Sequence, residues 1–527
     1  MKYGNTHSPN DHDGGLSDTQ KAELRNLPSV DEIMGDPNLS SLEQSFPHDL
    51  ILYSIRKALD EQRRSILRDT KSNDGEAAIK RSDMKGRSVV SSSSETSCDT
   101  LADALKEHLI VSSLKIMGRM ASPSLKRVVN ATGIVIHTNL GRSILPGCAV
   151  EAVKNVSSHY SALEYDVENR TRGSRHSHLE ELVCYLTGAE SAIAVNNNAA
   201  AVFLVLSEFA KGKKALVSRG ELVEIGGSFR IPDIMALSDA RMIEVGTTNK
   251  TRPSDYFDVI DDDVALVLKV HPSNYRIEGF TESVSAKDLR QKADDVNRRR
   301  REYVDTCTEP LLIYQDQGSG SLIDLRRFGF DHEPTVQEAL KEGCDLVSFS
   351  GDKLLGGAQA GFIIGRKKLI DRLKKNPLVR ALRLDKMTLS AMEATLRLYL
   401  DPEQAIREIP TLHMLTADAG SILEKAHRLR TSLEEAVDPD YASFEVINVI
   451  GKSGGGALPE CEFDSYAVAV SFNRGNVQSC EDYLISGRDV PVIGRINKDR
   501  LLLDARTMLE EDHEETVMAL REYFKRL

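Results

Sequence analysis

From about Val128 onward, short apolar runs alternate with longer amphipathic stretches, and this alternation restricts the fold more than any other feature of the chain. The runs are Ala192–Val195, Ala215–Val217, Met242–Val245, Val264–Val270, Leu311–Tyr314, Leu346–Phe349 and Gly361–Ile364. Strand-sized segments separated by helix-sized ones predict an α/β fold, a mostly parallel sheet flanked by helices on both faces. From roughly Ala405 the texture changes. A helix, strands around Ala467–Phe472 and Leu501–Leu503, and a closing helix at Glu514–Phe524 predict a small α+β C-terminal domain. No internal repeat of fixed period is present. The expected boundaries are therefore 128–404 for the α/β domain and 405–527 for the C-terminal one.

The N-terminal part is of another kind. Residues 1–17 are rich in Asn, Asp, His, Gly and Ser and read as a disordered tail. Residues 18–127 read as a helical module, in which Leu50, Ile51, Ile55, Leu59, Ile66 and Leu67 recur at mostly helical intervals. The polar side of that helix carries Arg56, Lys57, Arg63, Arg64 and Arg68 against only Asp60 and Glu61. Residues 69–100, with four consecutive serines at 91–94, read as a flexible insertion. Helical pattern resumes at Leu101–Met117, again with excess base in Lys106, Lys115 and Arg119.

A solvated face is the ordinary use of such a basic run, and a phosphate-contacting face the sharper one. The whole chain has 68 Lys and Arg against 80 Asp and Glu, a net charge of −12. That excludes a surface basic all over and leaves local patches as the only electrostatic route to nucleic acid. No apolar run is long enough to cross a bilayer, and Met1–Gly15 has no apolar secretion segment, so a cytoplasmic protein with no membrane partner is expected. The seven cysteines form no CxxC pair, and neither HExxH nor zinc-finger spacing occurs, so no metal centre is expected.

In a sheet of this kind ligands bind at the carboxyl ends of the strands. Three such ends carry candidates. After Ala192–Val195 comes Asn196-Asn197-Asn198-Ala199-Ala200-Ala201, which can leave backbone N–H groups free for a phosphate or simply cap a helix. After Leu311–Tyr314 comes Asp316-Gln317-Gly318-Ser319-Gly320, whose carboxylate suits a metal, a ribose, a pyridinium nitrogen or a turn. After Leu346–Phe349 comes Ser350-Gly351-Asp352-Lys353, and most lysines are surface solubilisers. Taken in this order the three are the arrangement used by fold-type-I pyridoxal phosphate enzymes. Lys353 would bind the cofactor covalently and act as base, and Asp316 would keep the pyridine nitrogen protonated. The backbone at Asn197, Asn198 and Ala199, with the Ser350 hydroxyl, would hold the phosphate.

Beyond these motifs, long blocks from Leu24 to the C-terminus resemble the bacterial selenocysteine synthase family (L-seryl-tRNA(Sec) selenium transferases). They include LRNLPSVDEIM (24–34), VVNATGIVIHTNLGRS (128–143), NRTRGSR (169–175), AVNNNAAAV (194–202) and SRGELVEIGGSFRIPDIM (218–235). KVHPSNYRIEGFTE (269–282), DQGSGSLIDL (316–325), SFSGDKLLGGAQAG (348–361), VRALRLDK (379–386), GGGALP (454–459) and PVIGRINKDRLLLDARTM (491–508) complete the series.

The resemblance implies conversion of seryl-tRNA(Sec) to selenocysteinyl-tRNA(Sec), with selenophosphate as selenium donor and pyridoxal 5'-phosphate as cofactor. It puts Arg380 and Arg383 at the selenophosphate, one turn apart on an expected helix, with Arg172 or Arg175 as a third cation. It gives tRNA contact to the N-terminal module through its Arg56–Arg68 and Lys106–Arg127 faces. It also implies a homodecamer, a ring of five dimers. The alternative is a pyridoxal phosphate lyase acting on a small amino acid or amino sugar acid. Retention of the basic N-terminal module weighs against that alternative.

Overall fold

A computed structural model describes residues 17–68, 98–225, 229–302, 309–459 and 461–527. Residues 1–16 of the expected tail 1–17 and 69–97 of the expected insertion 69–100 lie outside the described residues, whereas Ser17 caps a helix and residues 98–100 begin one. The chain forms two compact units, 1–126 and 127–527.

The described part of the first unit is helical: Asp18–Arg25, Val30–Met34, Pro37–Ser40, His48–Arg68 and Cys98–Ala121. Ser17 and Ser29 each close a capping box, with Gln20 and Glu32, which satisfies N–H groups that a helix start leaves unpaired. Ile33, Leu39, Ile51, Ile55, Leu59, Leu109, Ile116 and Met117 make one core, so the two long helices bury the faces that their periodicity marked. Arg56, Arg63, Arg64 and Arg68 are exposed on the opposite side, as are Lys115 and Arg119. Arg127 is not part of that surface. It belongs to the second unit, where it pairs with the buried carboxylate of Asp512 at 2.7 Å.

In the second unit the main strands are β1 (Ile134–Ile136), β2 (Ser191–Val195), β3 (Lys214–Ser218), β4 (Arg241–Val245), β5 (Val264–Val270), β6 (Leu312–Gly318), β7 (Leu346–Ser350), β8 (Gly361–Gly365), β9 (Ala442–Gly454), β10 (Glu462–Phe472), β11 (Arg495–Asn497) and β12 (Arg500–Asp504). Among the described residues the central sheet runs β2-β8-β7-β6-β5-β3-β4, parallel throughout except for β8. Alternate residues of each strand enter different cores. Ala192, Leu216, Val267, Ile313 and Val347 point one way, and Ile193, Val217, Leu266, Leu312 and Leu346 the other. Burial on both faces is why these strands are apolar along their length.

The second sheet runs β11-β12-β10-β9-β1. Its centre is a long antiparallel pair, with Ala442 opposite Phe472 and Lys452 opposite Glu462. The chain preceding the catalytic strands therefore returns to this sheet, since β1 pairs in parallel with the end of β9 (Gly454 opposite Ile136). That pairing carries the glycines 454–456 toward the carboxyl ends of the central strands.

Candidate active site

Lys353 lies in the turn after β7 and is buried. The turn is held from outside the sheet. Ser143 Oγ donates to the carbonyls of Asp352 (2.9 Å) and Lys353 (2.8 Å), and Arg142 Nη1 donates to Asp352 Oδ2 at 2.6 Å. Gly456, at the end of the β9 excursion, has φ +81°, and a Cβ there would fall 2.5 Å from Lys353 Nζ. Only glycine permits both this backbone and this approach. Among the described residues Nζ has no hydrogen bond or ion pair. Burial pushes the Lys353 ammonium below the ordinary lysine pKa; Asp316 opposes the shift and Arg142 adds to it. A lysine so placed carries a neutral, nucleophilic amine at lower pH than a surface lysine does.

Asp316, buried in β6, receives a hydrogen bond from Asn198 Nδ2 at 2.7 Å. Burial pushes its carboxyl up, against the pull of Asn198, Lys353 and His271. The His271 backbone N–H donates to the Asp316 carbonyl at 2.9 Å, and its ring Nε2 lies 3.0 Å from Glu333 Oε1. Burial raises the Glu333 carboxyl, but the bond and charge of His271 outweigh it and bring the group below its ordinary value.

The loop after β2 opens the helix Asn198–Phe209. Asn197 caps it by accepting from the Ala200 N–H at 2.9 Å, while the N–H groups of Asn198 and Ala199 have no partner among the described residues. Gly361 of β8 packs directly against the Asn197 carbonyl, where any Cβ would collide, so the sheet and the loop close on each other. Ser350, the last residue of β7, is buried. The structure thus gathers Lys353, Asp316, Asn197, Asn198, Ala199 and Ser350 at neighbouring strand ends.

These residues fit pyridoxal phosphate. Among the described residues the side-chain oxygens of Ser273 and Asn198 are buried without a partner, a rare and costly state that a polar group in the site would relieve. Free N–H groups at a helix start suit a phosphate. A buried carboxylate suits a pyridinium nitrogen, and an unpaired buried amine suits a carbonyl carbon.

The four arginines form a second group. Arg172, Arg175, Arg380 and Arg383 line one cavity of about 340 Å3, together with Glu164, His176 and Lys374. None of the residues gathered around Lys353 lines it. Glu164 sits among the cations, bonded to Arg175 Nε at 2.9 Å and paired with Arg172 and Arg383 at 3.5 Å each. The Arg175 bond and the surrounding charge hold its carboxyl below the ordinary range. The helix that carries Arg380, Leu378–Leu382, ends one residue before Arg383, whose backbone is extended. The two arginines therefore do not share a helix, and Arg383 instead bridges to Val195 at the end of β2. That bridge is the structural link between the two groups.

His271, Glu333, Ser273, Arg142, Gly361 and Gly456 were not legible as site residues. Several lie inside blocks of the resemblance, yet no local spacing marks a lone histidine or glutamate as a neighbour of a lysine far along the chain.

Residues 128–509 match the family described as L-seryl-tRNA selenium transferase, and residues 24–63 match one described as selenocysteine synthase N terminal. A Clostridium botulinum protein named L-seryl-tRNA(Sec) selenium transferase is 42% identical over 493 residues, covering 94% of this chain and 97% of its own. A Clostridium perfringens protein of the same name is 42% identical over 502 residues, covering 95% and 99%. Among solved structures, a D-glucosaminate-6-phosphate ammonia-lyase aligns over 78% of this chain and 98% of its own, with a TM-score of 0.50 and 20% identity. This last likeness is one of fold.

Proposed function

The chain belongs to the L-seryl-tRNA selenium transferase family, and from that premise we propose that it converts seryl-tRNA(Sec) to selenocysteinyl-tRNA(Sec) with selenophosphate as the selenium donor. It is a pyridoxal phosphate enzyme of fold type I. The seryl Cβ–O bond breaks, the hydroxyl leaving with a proton as water, a Cβ–Se bond forms, and water cleaves the Se–P bond to release orthophosphate. The observation that carries the reading is that one chain holds both the buried Lys353–Asp316 group and a cavity lined by four arginines.

When bound, pyridoxal phosphate supplies an electron sink that stabilises negative charge at the seryl Cα. Lys353 Nζ would hold the cofactor and, once displaced by the seryl amine, take the Cα proton, for which its lowered pKa suits it. Asp316 would hold the proton of the ring nitrogen, with Asn198 fixing the carboxylate. The free N–H groups of Asn198 and Ala199, with Ser350, would bind the phosphate. Arg380, Arg383, Arg172 and Arg175 would bind the selenophosphate oxyanion, displacing Glu164 from part of its ring of cations. The exposed basic face of the helix His48–Arg68 supports tRNA contact by the N-terminal module, 18–127, with 128–404 as the catalytic and 405–527 as the C-terminal domain.

Assembly as a cytoplasmic homodecamer, a ring of five dimers, belongs to the same reading. No described helix is long and apolar enough to cross a membrane.

The test is selenium transfer by purified, cofactor-loaded protein offered seryl-tRNA(Sec) and selenophosphate, beside seryl-tRNA(Ser). Selenocysteinyl product on the first tRNA alone supports the reading. Release of ammonia from small amino or amino sugar acids, with no transfer to either tRNA, would assign the chain to the lyases instead.

A further inference from the structure

A seryl ester joins the reacting carbon to the ribose of a terminal adenosine through only a carbonyl carbon and an oxygen. The ribose and its base must therefore lie in whatever space adjoins the amine of Lys353. A cleft of about 700 Å3, not itself lined by Lys353, lies at the carboxyl ends of β3, β4 and β5 and reaches the lysine site through His271, whose backbone N–H donates to the Asp316 carbonyl. It is lined by His271, by Glu333 on the His271 ring, and by Leu458, two residues beyond the glycine whose added Cβ would meet Lys353 Nζ. Its size suits a nucleoside. The arginine cavity is half as large.

We infer that this cleft seats the terminal adenosine of the aminoacyl-tRNA, with the base on the ring of Tyr275 and the adjoining phosphate on Arg276. Splayed-out terminal bases are held by stacking on aromatic side chains, with phosphates held by arginine. Tyr275 is half-buried against the core, and its hydroxyl donates to the Gly220 carbonyl at 2.7 Å, so the ring is fixed in advance. Arg276 is exposed and, among the described residues, pairs only with the exposed Asp331, at 3.1 Å. An exposed pair of this kind is worth little and is readily exchanged for a phosphate. Lys250, across the cleft, adds a second cation at its rim.

The inference rests on an aminoacyl-tRNA being the substrate, and the experiment separates the two claims. Holoenzyme is irradiated with tRNA(Sec) ending in 8-azidoadenosine, and the labelled peptide is mapped. In parallel, kcat and KM for seryl-tRNA(Sec) are measured for Tyr275→Ala, Tyr275→Phe and Arg276→Ala, with the visible absorbance of bound cofactor as the check on folding. The expected label falls on residues 248–285. Tyr275→Ala and Arg276→Ala should raise KM roughly tenfold at unchanged kcat, and Tyr275→Phe, which keeps the ring but loses the bond that fixes it, should raise KM by less than Tyr275→Ala does. Label confined to other segments, or wild-type KM in both alanine variants, overturns the inference. Wild-type protein that transfers no selenium overturns the functional reading, while the position of the label still decides what this cleft binds.

Discussion

Asn198 donates its side-chain N–H to Oδ1 of Asp316 at 2.7 Å, joining the first residue of a helix to a carboxylate on a strand three places away in the sheet. One residue thus serves both ends of the cofactor. Its free backbone N–H would bind the phosphate, and its amide holds the carboxylate that would meet the ring nitrogen.

Asn198→Ala should therefore weaken cofactor binding without unfolding the chain. A hydrogen bond to a charged group is worth about 1.5–3 kcal/mol, so the Kd for pyridoxal phosphate should rise at least tenfold. Loss of the bond also removes one of the influences that keep Asp316 ionised, shifting its carboxyl further up. Equilibrium dialysis of the cofactor checks this, and an unchanged Kd would show that the bond is incidental.

Gly456→Ala puts a methyl group 2.5 Å from Lys353 Nζ at a backbone angle that alanine disfavours. The expected result is a folded protein, by circular dichroism, that has lost the visible absorbance of lysine-linked cofactor. Normal absorbance would mean that the 454–456 loop moves away freely.

The pH dependence of cofactor capture follows from the lowered pKa of Lys353. Burial disfavours its charged form, so the neutral amine that attacks the cofactor aldehyde becomes abundant below the ordinary lysine range. In stopped-flow mixing of cofactor-free protein with pyridoxal phosphate, the rate should rise with pH and then level off at a lower pH than an ordinary lysine would give. A rate still climbing near about pH 10 would mean an ordinary lysine.

In the arginine cavity the sign of each substitution differs. Arg383→Ala removes a donor and should raise KM for selenophosphate about tenfold, leaving KM for seryl-tRNA(Sec) unchanged. Glu164→Gln removes the carboxylate that competes for Arg172, Arg175 and Arg383, and should lower KM for selenophosphate. Steady-state kinetics with each substrate varied in turn distinguish these outcomes. Indifference of both variants to the donor would place selenophosphate elsewhere.

The central strands were legible because burial on both faces leaves them apolar throughout, and their ends pointed to Asp316 and Lys353. The strand Ala442–Gly454 escaped notice because one of its faces is solvated and it finishes in Lys452, Ser453 and Gly454. Its partner was read only over Ala467–Phe472, since Glu462–Ser465 is mostly polar. Arg380 and Arg383 line one cavity with both Arg172 and Arg175, of which one was expected there, but the expected shared helix stops at Leu382. Tertiary pairing with Val195 positions Arg383, and no local pattern announces such a pairing.

The central claim is that Lys353 is the residue to which pyridoxal phosphate attaches. Borohydride reduction of the holoenzyme, followed by peptide mass mapping, tests it directly. The account predicts a single pyridoxyl group on the peptide containing Lys353, absent from Lys353→Ala. A pyridoxyl group on another lysine, or one that persists in Lys353→Ala, would contradict it.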